Sequence, residues 1–503
     1  MKPKILFWID IEFIYFGIAK YLCKNYDCDA YAIIDVNQKA KKFFQDQNIV
    51  SFKKSWYYLD HIHIDKQEPD IEYLKLFEKK YGIRIWNLLF GERSFYNFND
   101  FYKFDYNEML CIIEQECKFF ESVLNDTKPD FIIIKMTDWH HNQLFYELCK
   151  AMGIKILMTV PTRFGFRVII SEDISKLDSE IVNTSSDLNV NSPEELKKYL
   201  DAHNSFKQAT RFTEDYRSFN WYKLKTSLRF FLNPFNSGYQ IRYSNYKRSR
   251  MKIFKRQLAL AIKRYFRESF INKNFINTIP NTSFVFFPMH YEPERTLSTD
   301  APFFTNQLET IRSIAKSLPI EFKLVVKEHP VMKTLGWRKI SYYKELLELP
   351  NVVLVHPSIT PESLYKKCSL VITTTGTAGF EAAFYNKPTI ILADVIYSEL
   401  SSVHRLKSIE ELPATIKTAL DAKVESKDLI NFIKKIEQNS FRFDTNQLAT
   451  NFSSKYYYGG FLVDEKIPQD KILKFMEDNN DIFDKLANEH MKKISLFNDS
   501  KDC

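Results

Sequence analysis

Hydroxyl side chains and glycines are concentrated in the stretch Thr373-Thr-Thr-Gly-Thr-Ala-Gly-Phe-Glu381. An apolar run before it predicts a strand over Leu370–Thr373, and the residues after it predict a helix over Gly376–Tyr385. The first N–H groups of a helix lack intrahelical partners and lie at the positive end of its dipole, so they attract phosphate. An ordinary capped helix start is the plainer alternative. The residues predicted here to bind a nucleotide are Thr374, Thr375, Gly376, Thr377 and Glu381.

Cationic side chains follow two other predicted strands of the same half. Lys327, His329 and Pro330 come after the strand Phe322–Val326, where two cations would stabilise the charge developing on a departing phosphate. After the strand Ser283–Phe287, one loop contains His290, Glu294 and Arg295. We predict that these residues also bind a nucleotide-activated donor, at its phosphates or its sugar. A surface lysine, a locally bonded histidine and charges that only pair with each other are the alternatives.

Two places in the N-terminal half could supply acid–base chemistry, since a base has to remove a proton from an acceptor hydroxyl. The predicted catalytic residues are Asp138, Glu12 and His141. Glu12 follows the strand Ile5–Ile9, and the other two follow Phe131–Ile134. The Asp138-x-His-His spacing also suits a metal, but no third ligand stands at metal spacing, so no metal is predicted. Arg163 and Arg167 are predicted to bind an anionic acceptor or donor, with a solvated surface role as the alternative.

Strand and helix patterns alternate in both halves, which predicts two parallel sheets covered by helices. The predicted fold is α/β of the GT-B type, in which two doubly wound Rossmann-like domains face each other across a cleft. The predicted domains are an N-terminal acceptor-side domain at 1–200, a basic aromatic helical linker at 201–275, a C-terminal nucleotide-sugar domain at 276–425 and a helical tail at 426–503.

Composition limits the partners and the compartment. The chain has 503 residues and a net charge of +8, and Arg242–Arg267 holds ten Lys or Arg and no acid. No nucleic-acid motif accompanies that basic segment, so nucleic acid is not predicted as a partner; a solvated linker and contact with an anionic membrane surface through 242–267 remain. Seven cysteines without a CxxC pair indicate reduced thiols. We therefore expect a cytoplasmic protein, peripheral on the inner face of the cytoplasmic membrane if the basic segment binds lipid.

The motifs Phe286–Glu294, Val326–Pro330 and Thr375–Ala382 resemble those of bacterial capsule and surface-polysaccharide glycosyltransferases, a superfamily that includes the capsule Kdo transferases. The resemblance implies a nucleotide-sugar donor, with a CMP-sugar such as CMP-Kdo favoured over a UDP-sugar, and a polysaccharide or glycolipid acceptor. The donor would be a substrate, and no cofactor is required. It also implies nucleotide contacts by His329, Pro330, Thr375, Gly376, Thr377 and Glu381. A nucleotide-sugar epimerase of the same fold and a non-catalytic assembly component are the alternatives.

Overall fold

The computed structural model describes residues 2–64, 68–95, 99–177, 221–232, 242–457 and 466–499, with isolated residues between 195 and 210. Its strands are β1 Lys4–Asp10, β2 Asp29–Asp35, β3 Lys54–Tyr57, β4 Phe131–Lys135, β5 Lys155–Pro161, β6 Arg167–Ser171, β7 Phe284–Pro288, β8 Lys323–Lys327, β9 Val352–Val355, β10 Leu370–Thr373, β11 Thr389–Ile391, β12 Val403–Arg405 and β13 Phe441–Arg442. They form two separate sheets.

The N-terminal sheet has seven strands in the order β13-β6-β5-β4-β1-β2-β3. Strands β1 to β5 are parallel, whereas β6 and β13 add an antiparallel edge. The central strands β1 and β4 are buried along almost their whole length, as expected of parallel strands with helices on both faces. The order 3-2-1-4-5 of the parallel part is that of a Rossmann fold.

The C-terminal sheet has six strands in the order β12-β11-β10-β7-β8-β9, and every pairing is parallel. When the strands are counted from β7, this order is the Rossmann order 3-2-1-4-5-6. Each domain therefore has one topological switch point, between β1 and β4 in the first and between β7 and β10 in the second.

Helices cover both sheets. The N-terminal ones are α1 Ile14–Asn25, α2 Gln38–Asp46, α3 Ile71–Tyr81, α4 Ile85–Gly91, α5 Tyr106–Thr127 and α6 His140–Ala151. The linker and C-terminal domain contain α7 Trp221–Leu232, α8 Arg250–Asn274, α9 Gln307–Ser317, α10 Ile340–Leu347, α11 Pro361–Lys367, α12 Ala378–Ala383 and α13 Leu412–Asp421. The chain ends with α14 Ser426–Asn439, α15 Thr445–Tyr456, α16 Gln469–Asp478 and α17 Asn480–Asp499.

The last helices return to the N-terminal domain. One buried apolar cluster contains side chains of α1, side chains from one face of β1, and Phe452, Phe475 and Phe483 of the last helices. Gly17 on α1 is essential to this packing, because a Cβ there would overlap the buried ring of Phe483. The tail thus completes the core of the domain where the chain began.

The predicted α/β GT-B class, with two Rossmann-like domains and a helical tail, is confirmed by these sheet orders. The prediction missed the edge strands β3, β12 and β13 and also β6, which lies between β5 and β13. The helix expected over Gly376–Tyr385 is shorter than predicted, because α12 spans only Ala378–Ala383. No helix among the described residues combines the length and apolar character needed to cross a bilayer.

Candidate active site

The two switch points bring together most of the predicted site residues. Ligands of doubly wound sheets bind beyond the carboxyl ends of the strands at such points. In the N-terminal domain these ends carry Glu12, after β1, and Asp138, after β4. In the C-terminal domain they carry His290, after β7, and the Thr-rich turn, after β10.

His290 lies at the centre of a hydrogen-bonded chain in the C-terminal switch point. Its Nε2 accepts from the Thr375 N–H at 3.4 Å and lies 3.3 Å from the Thr373 hydroxyl, which in turn accepts from the Gly376 N–H at 3.1 Å. Because a backbone N–H can only donate, Nε2 is the acceptor, and the proton is on Nδ1, 3.2 Å from the Glu294 carboxylate. The turn and the predicted loop are therefore one hydrogen-bonded unit.

Two residues that the sequence analysis did not select hold His290 in place. The Gln307 side chain accepts from the His290 N–H at 2.6 Å and donates to its carbonyl at 3.2 Å. Arg338 donates to the same carbonyl at 2.7 Å and to the buried Glu328 carboxylate at 2.8 Å. No spacing pattern signals either residue, because each is far from His290 in the sequence.

The Thr-rich turn has buried polar groups that await a partner. The side-chain hydroxyls of Thr374 and Thr375 are fully buried and make no hydrogen bond among the described residues. Buried hydroxyls without a partner are costly, and a ligand or a water that reaches the turn would satisfy them. Because α12 has only six residues, its dipole contributes less to phosphate binding than predicted. The groups that would bind a phosphate are therefore these hydroxyls and the backbone of the turn.

The two glycines of the turn have different roles. A Cβ on Gly376 would lie 2.7 Å from the Thr373 hydroxyl and 3.4 Å from the His290 ring, so glycine lets the turn close on His290. A Cβ on Gly379 would lie 2.7 Å from the Tyr397 hydroxyl and 2.8 Å from Thr389, which makes that glycine a packing requirement.

Thr377 and Glu381 flank this turn. Thr377 is half-buried at the start of α12, and Glu381 is half-buried one turn further on. The Tyr365 hydroxyl donates to the Glu381 carboxylate at 3.0 Å, which fixes that side chain. Both residues keep their predicted nucleotide-binding roles as predictions.

Burial lowers the pKa values of Lys327 and His329, the two potential cations at and just after the end of β8. Burial lowers the pKa of Lys327 to about 7, and its ammonium donates to the Pro357 carbonyl at 3.0 Å, in the loop after β9. Burial also lowers the pKa of His329 to about 4, and its Nδ1 accepts from the Val331 N–H at 3.2 Å, next to Pro330. The neutral His329 ring therefore bears its proton on Nε2 and is a hydrogen-bond donor, so Lys327 is the one of the two potential cations that titrates near neutral pH.

Two arginines connect the domains, each reaching the other domain's switch-point loop. Arg163, after β5, donates to the carbonyl oxygen of Thr375. Arg295 donates from Nε to the carbonyl of Thr137 and from Nη2 to its hydroxyl at 3.1 Å, and it pairs with Asp300 at 2.7 Å. Arg163 therefore lies in the cleft, and Arg295 is a buried contact between domains.

The charge of Arg163 reaches a second group of the site. Burial alone would raise the pKa of Glu294, but the hydrogen bond from His290 and the charge of Arg163 lower it overall. Glu294 is therefore ionised and stays paired with His290.

Carboxylates surround one lysine in the N-terminal switch point. Lys135 lies 3.0 Å from Asp10 and 3.6 Å from Asp138, whose side chain is 37% exposed. Burial, followed by the nearby charge of Asp10, raises the pKa of Glu12 to about 7. A carboxylate that titrates near neutral pH suits general-base catalysis, so Glu12 is favoured over Asp138 on this ground.

His141 is placed in the interior, contrary to the expectation of a cleft-facing base. Its ring stacks on Trp8 and Tyr58, its Nδ1 lies 2.9 Å from the Tyr243 hydroxyl, and its Nε2 lies 3.4 Å from Asp35. An acceptor hydroxyl has no access to a ring enclosed in this way. His141 is therefore a structural residue in this arrangement.

The neighbouring His140 belongs to a buried charge network that the sequence did not indicate. Its Nδ1 lies 2.7 Å from Glu92 and its Nε2 lies 2.8 Å from Glu116. Burial alone would lower the pKa of His140, but these two carboxylates raise it to about 10. Ligand atoms of Glu116, His140 and His141 lie within 4.8 Å of one another, so the absence of a third ligand was the wrong reason for discounting a metal. Carboxylates occupy both nitrogens of His140, however, as in a buried ion-pair network.

Arg167 has a different set of contacts from the one predicted. Its guanidinium donates to the carbonyls of Glu437 at 3.0 Å and Ser440 at 2.8 Å, and to the Ser440 hydroxyl at 2.8 Å. Cations are favoured at the C-terminal ends of helices, so Arg167 caps α14. Its predicted anion binding has no support from these contacts.

The fold and the cleft define the class of protein: an α/β protein of the GT-B type with two Rossmann-like domains. Residues 186–404 match the family described as "Capsule polysaccharide biosynthesis protein". This match, which covers a little under half of the chain, confirms the family resemblance predicted from the motifs. It includes the predicted nucleotide-binding residues from His290 to Glu381, but none of the N-terminal site residues.

Solved structures that are similar to the chain include two kinds of enzyme. UDP-GlcNAc 2-epimerase from Methanocaldococcus jannaschii is 15% identical, with 87% of this chain and 98% of that chain covered and a TM-score of 0.26. The β-Kdo 2,7 transferase KpsC of Thermosulfurimonas dismutans is 11% identical, with 59% and 79% covered and a TM-score of 0.28. No curated protein is significantly similar to the chain in sequence.

Proposed function

We propose that the protein is a glycosyltransferase that moves a sugar from a nucleotide-activated donor to a capsular or surface polysaccharide, or to its lipid-linked precursor. A CMP-sugar such as CMP-Kdo is the favoured donor, and a UDP-sugar is the alternative. The carrying observation is that the unpartnered Thr374 and Thr375 hydroxyls and the titratable Glu12 lie at the two switch points. Donor and base are thereby assigned to different domains.

The donor half of the proposal rests on the unit formed by His290 and the Thr-rich turn. The Thr374 and Thr375 hydroxyls would donate to the donor phosphate, and the Nε2–H of His329 would add a third donor. Groups that are already in place stabilise the charge of a departing phosphate without reorganisation. Glu381, fixed by Tyr365, would accept from the ribose hydroxyls. The nucleotide sugar is the substrate, and the proposal requires no cofactor.

The acceptor half rests on Glu12. As a carboxylate, Glu12 would take the proton of the acceptor hydroxyl while that oxygen attacks the anomeric carbon and the nucleotide leaves with the electron pair of the broken bond. Arg163 would orient the donor, since its guanidinium already lies at Thr375. We propose that this reaction takes place in the cytoplasm, at the inner face of the membrane.

The test is product analysis with CMP-, UDP- and GDP-sugars in the presence and absence of an oligosaccharide acceptor. The proposal predicts release of the nucleotide that depends on the acceptor, and loss of that release in Glu12→Gln. Conversion of the donor sugar to an epimer without acceptor, followed by NMR, would establish an epimerase instead. A folded protein that leaves every donor unchanged and binds none of them would favour a non-catalytic assembly component.

A further inference from the structure

Helix α8 presents an apolar stripe to solvent. Met251, Leu258, Ile262, Tyr265 and Phe266 are between 51% and 73% exposed. Met251 stands seven residues before Leu258, Ile262 stands four after it, and Tyr265 and Phe266 stand three and four after Ile262, so all five lie along one side of the helix. Five large apolar side chains in one stripe form a patch that a soluble surface rarely leaves without a partner.

The charges of α8 divide between its two sides. On the inner side, Arg264 donates to the Thr334 carbonyl at 3.0 Å, Arg267 donates to the carbonyls of Gly336 and Trp337, and Glu268 pairs with Lys333. These contacts hold the helix on the C-terminal domain. Several cations of the basic segment are therefore structural, which the sequence could not distinguish.

Exposed lysines accompany the stripe, with Lys252 and Lys263 beside it and Lys255 between Ile262 and Phe266. Lys255 and Lys263 are exposed and make no ion pair among the described residues, and Lys252 is exposed as well. Glu268, the one acid of α8, is engaged by Lys333 on the inner side. An apolar stripe accompanied by exposed lysines fits a partner surface whose interior is apolar and whose outer layer is negatively charged.

From this arrangement we infer that α8 lies in the surface of an anionic phospholipid bilayer, with Leu258, Ile262 and Phe266 inserted between the headgroups and Lys255 and Lys263 at the phosphates. Helix α7 repeats the pattern with exposed Leu224, Leu228 and Leu232. The inference deepens the membrane contact included in the proposed function. It does not depend on transferase activity, because the docking surface lies outside the cleft.

Co-sedimentation of the full-length protein with vesicles tests the inference, without any nucleotide or acceptor present. Vesicles of phosphatidylcholine mixed with phosphatidylglycerol should bind the protein at least about tenfold more tightly than phosphatidylcholine alone, and added salt should weaken the binding. The triple variant Leu258→Ser, Ile262→Ser, Phe266→Ser and the double variant Lys255→Glu, Lys263→Glu should each lower binding by at least about tenfold.

Matched controls lie elsewhere on the surface. Ile320→Ser replaces a fully exposed apolar residue, and Lys417→Glu with Lys423→Glu reverses two exposed charges; these variants should bind vesicles like the wild type. Circular dichroism and thermal melting establish that every variant is folded. Equal binding to neutral and anionic vesicles, or unchanged binding by both α8 variants, would overturn the inference. So would a dimer that dissociates in the triple variant while the wild type ignores vesicles.

Discussion

The guanidinium of Arg163, in the N-terminal domain, donates to the carbonyl oxygen of Thr375, in the middle of the Thr-rich turn of the C-terminal domain. Arg163 has a left-handed φ of 64°, a conformation that costs about 1–3 kcal/mol for a residue other than glycine. Arg295 makes the reverse contact to Thr137. Each switch-point loop is thus bound by an arginine of the opposite domain.

Arg163→Ala should therefore weaken donor use more than folding. A hydrogen bond from a charged group contributes about 1.5–3 kcal/mol, so kcat/KM for the donor should fall by about 10- to 100-fold. The matched control is Arg312→Ala, which removes an exposed arginine paired with Glu309 and Glu345 on the surface. Equal values of kcat/KM for the two variants would show that Arg163 does not contribute to the use of the donor.

Glu12→Gln should lower kcat by about 10²- to 10⁴-fold, the contribution of a general base. Because the pKa of Glu12 is raised to about 7, the wild-type rate should fall as the pH drops below about 7, where the carboxylate is protonated. A pH–rate profile that keeps this acid limb in Glu12→Gln but loses it in Asp138→Asn would transfer the role to Asp138.

Glu12→Gln should raise the stability of the protein although it lowers the rate. The pKa of Glu12 in the folded protein lies above its value of 4.5 in the unfolded chain, so the folded state favours the protonated acid. Stability from this group is present at low pH and is lost as the pH rises to about 7. Glu12→Gln should thus raise the melting temperature at about pH 8, and a lower melting temperature would contradict the assigned environment.

Donor binding should be accompanied by proton uptake. Burial lowers the pKa of Lys327 to about 7, and a phosphate nearby would raise it by favouring the ammonium. Above about pH 7 the affinity for the nucleotide should therefore weaken as the pH rises. Calorimetry in buffers of different ionisation enthalpy measures the protons directly, and Lys327→Met should abolish the uptake. Uptake that persists in this variant would assign it to another group.

Gly376→Ala should weaken nucleotide binding with little effect on the free protein. The added Cβ would press on the Thr373 hydroxyl at 2.7 Å and on the His290 ring, so the turn must move away from His290. Gly379→Ala is the comparison, because its Cβ meets Tyr397 and Thr389 in the packed interior and should lower the melting temperature instead. Similar melting temperatures and similar nucleotide affinities for both variants would contradict the two roles.

Arg338→Met should be strongly destabilising. It leaves the fully buried Glu328 carboxylate without its cation, and breaking a buried pair costs about 3–5 kcal/mol. The double variant Arg338→Met, Glu328→Gln should recover part of this loss, because the fully buried Glu328 charge is removed and only the partly exposed Glu292 carboxylate loses its partner. Denaturant unfolding measures both free energies, and a double variant less stable than Arg338→Met would contradict the pairing.

The sequence predicts those features that depend on neighbours along the chain. Buried apolar runs such as Ile5–Ile9 predict the central strands, and the polar residues after them predict the switch-point loops. The short edge strand β13 is not predictable, because two residues, Phe441 and Arg442, carry no period. Neither are the contacts of His140 with Glu92 and Glu116, which stand 48 and 24 residues away.

The direction in which a side chain points is the second feature that the sequence does not predict. His140 and His141 open α6 directly after a switch-point strand, a position that predicts catalysis equally well for either. The structure turns both rings into the core, where Trp8 and Tyr58 enclose His141. The Lys327 ammonium likewise donates to the Pro357 carbonyl, a contact that no local pattern predicts. Side-chain direction depends on packing that no local pattern encodes.

A structure of the protein with a CMP-sugar or UDP-sugar bound tests the central claim most directly. We predict the donor phosphate within hydrogen-bonding distance of the Thr374 and Thr375 hydroxyls and of His329, with the anomeric carbon facing Glu12 across the cleft. A nucleotide bound outside the Thr-rich turn, or an anomeric carbon out of reach of both Glu12 and Asp138, would contradict the account.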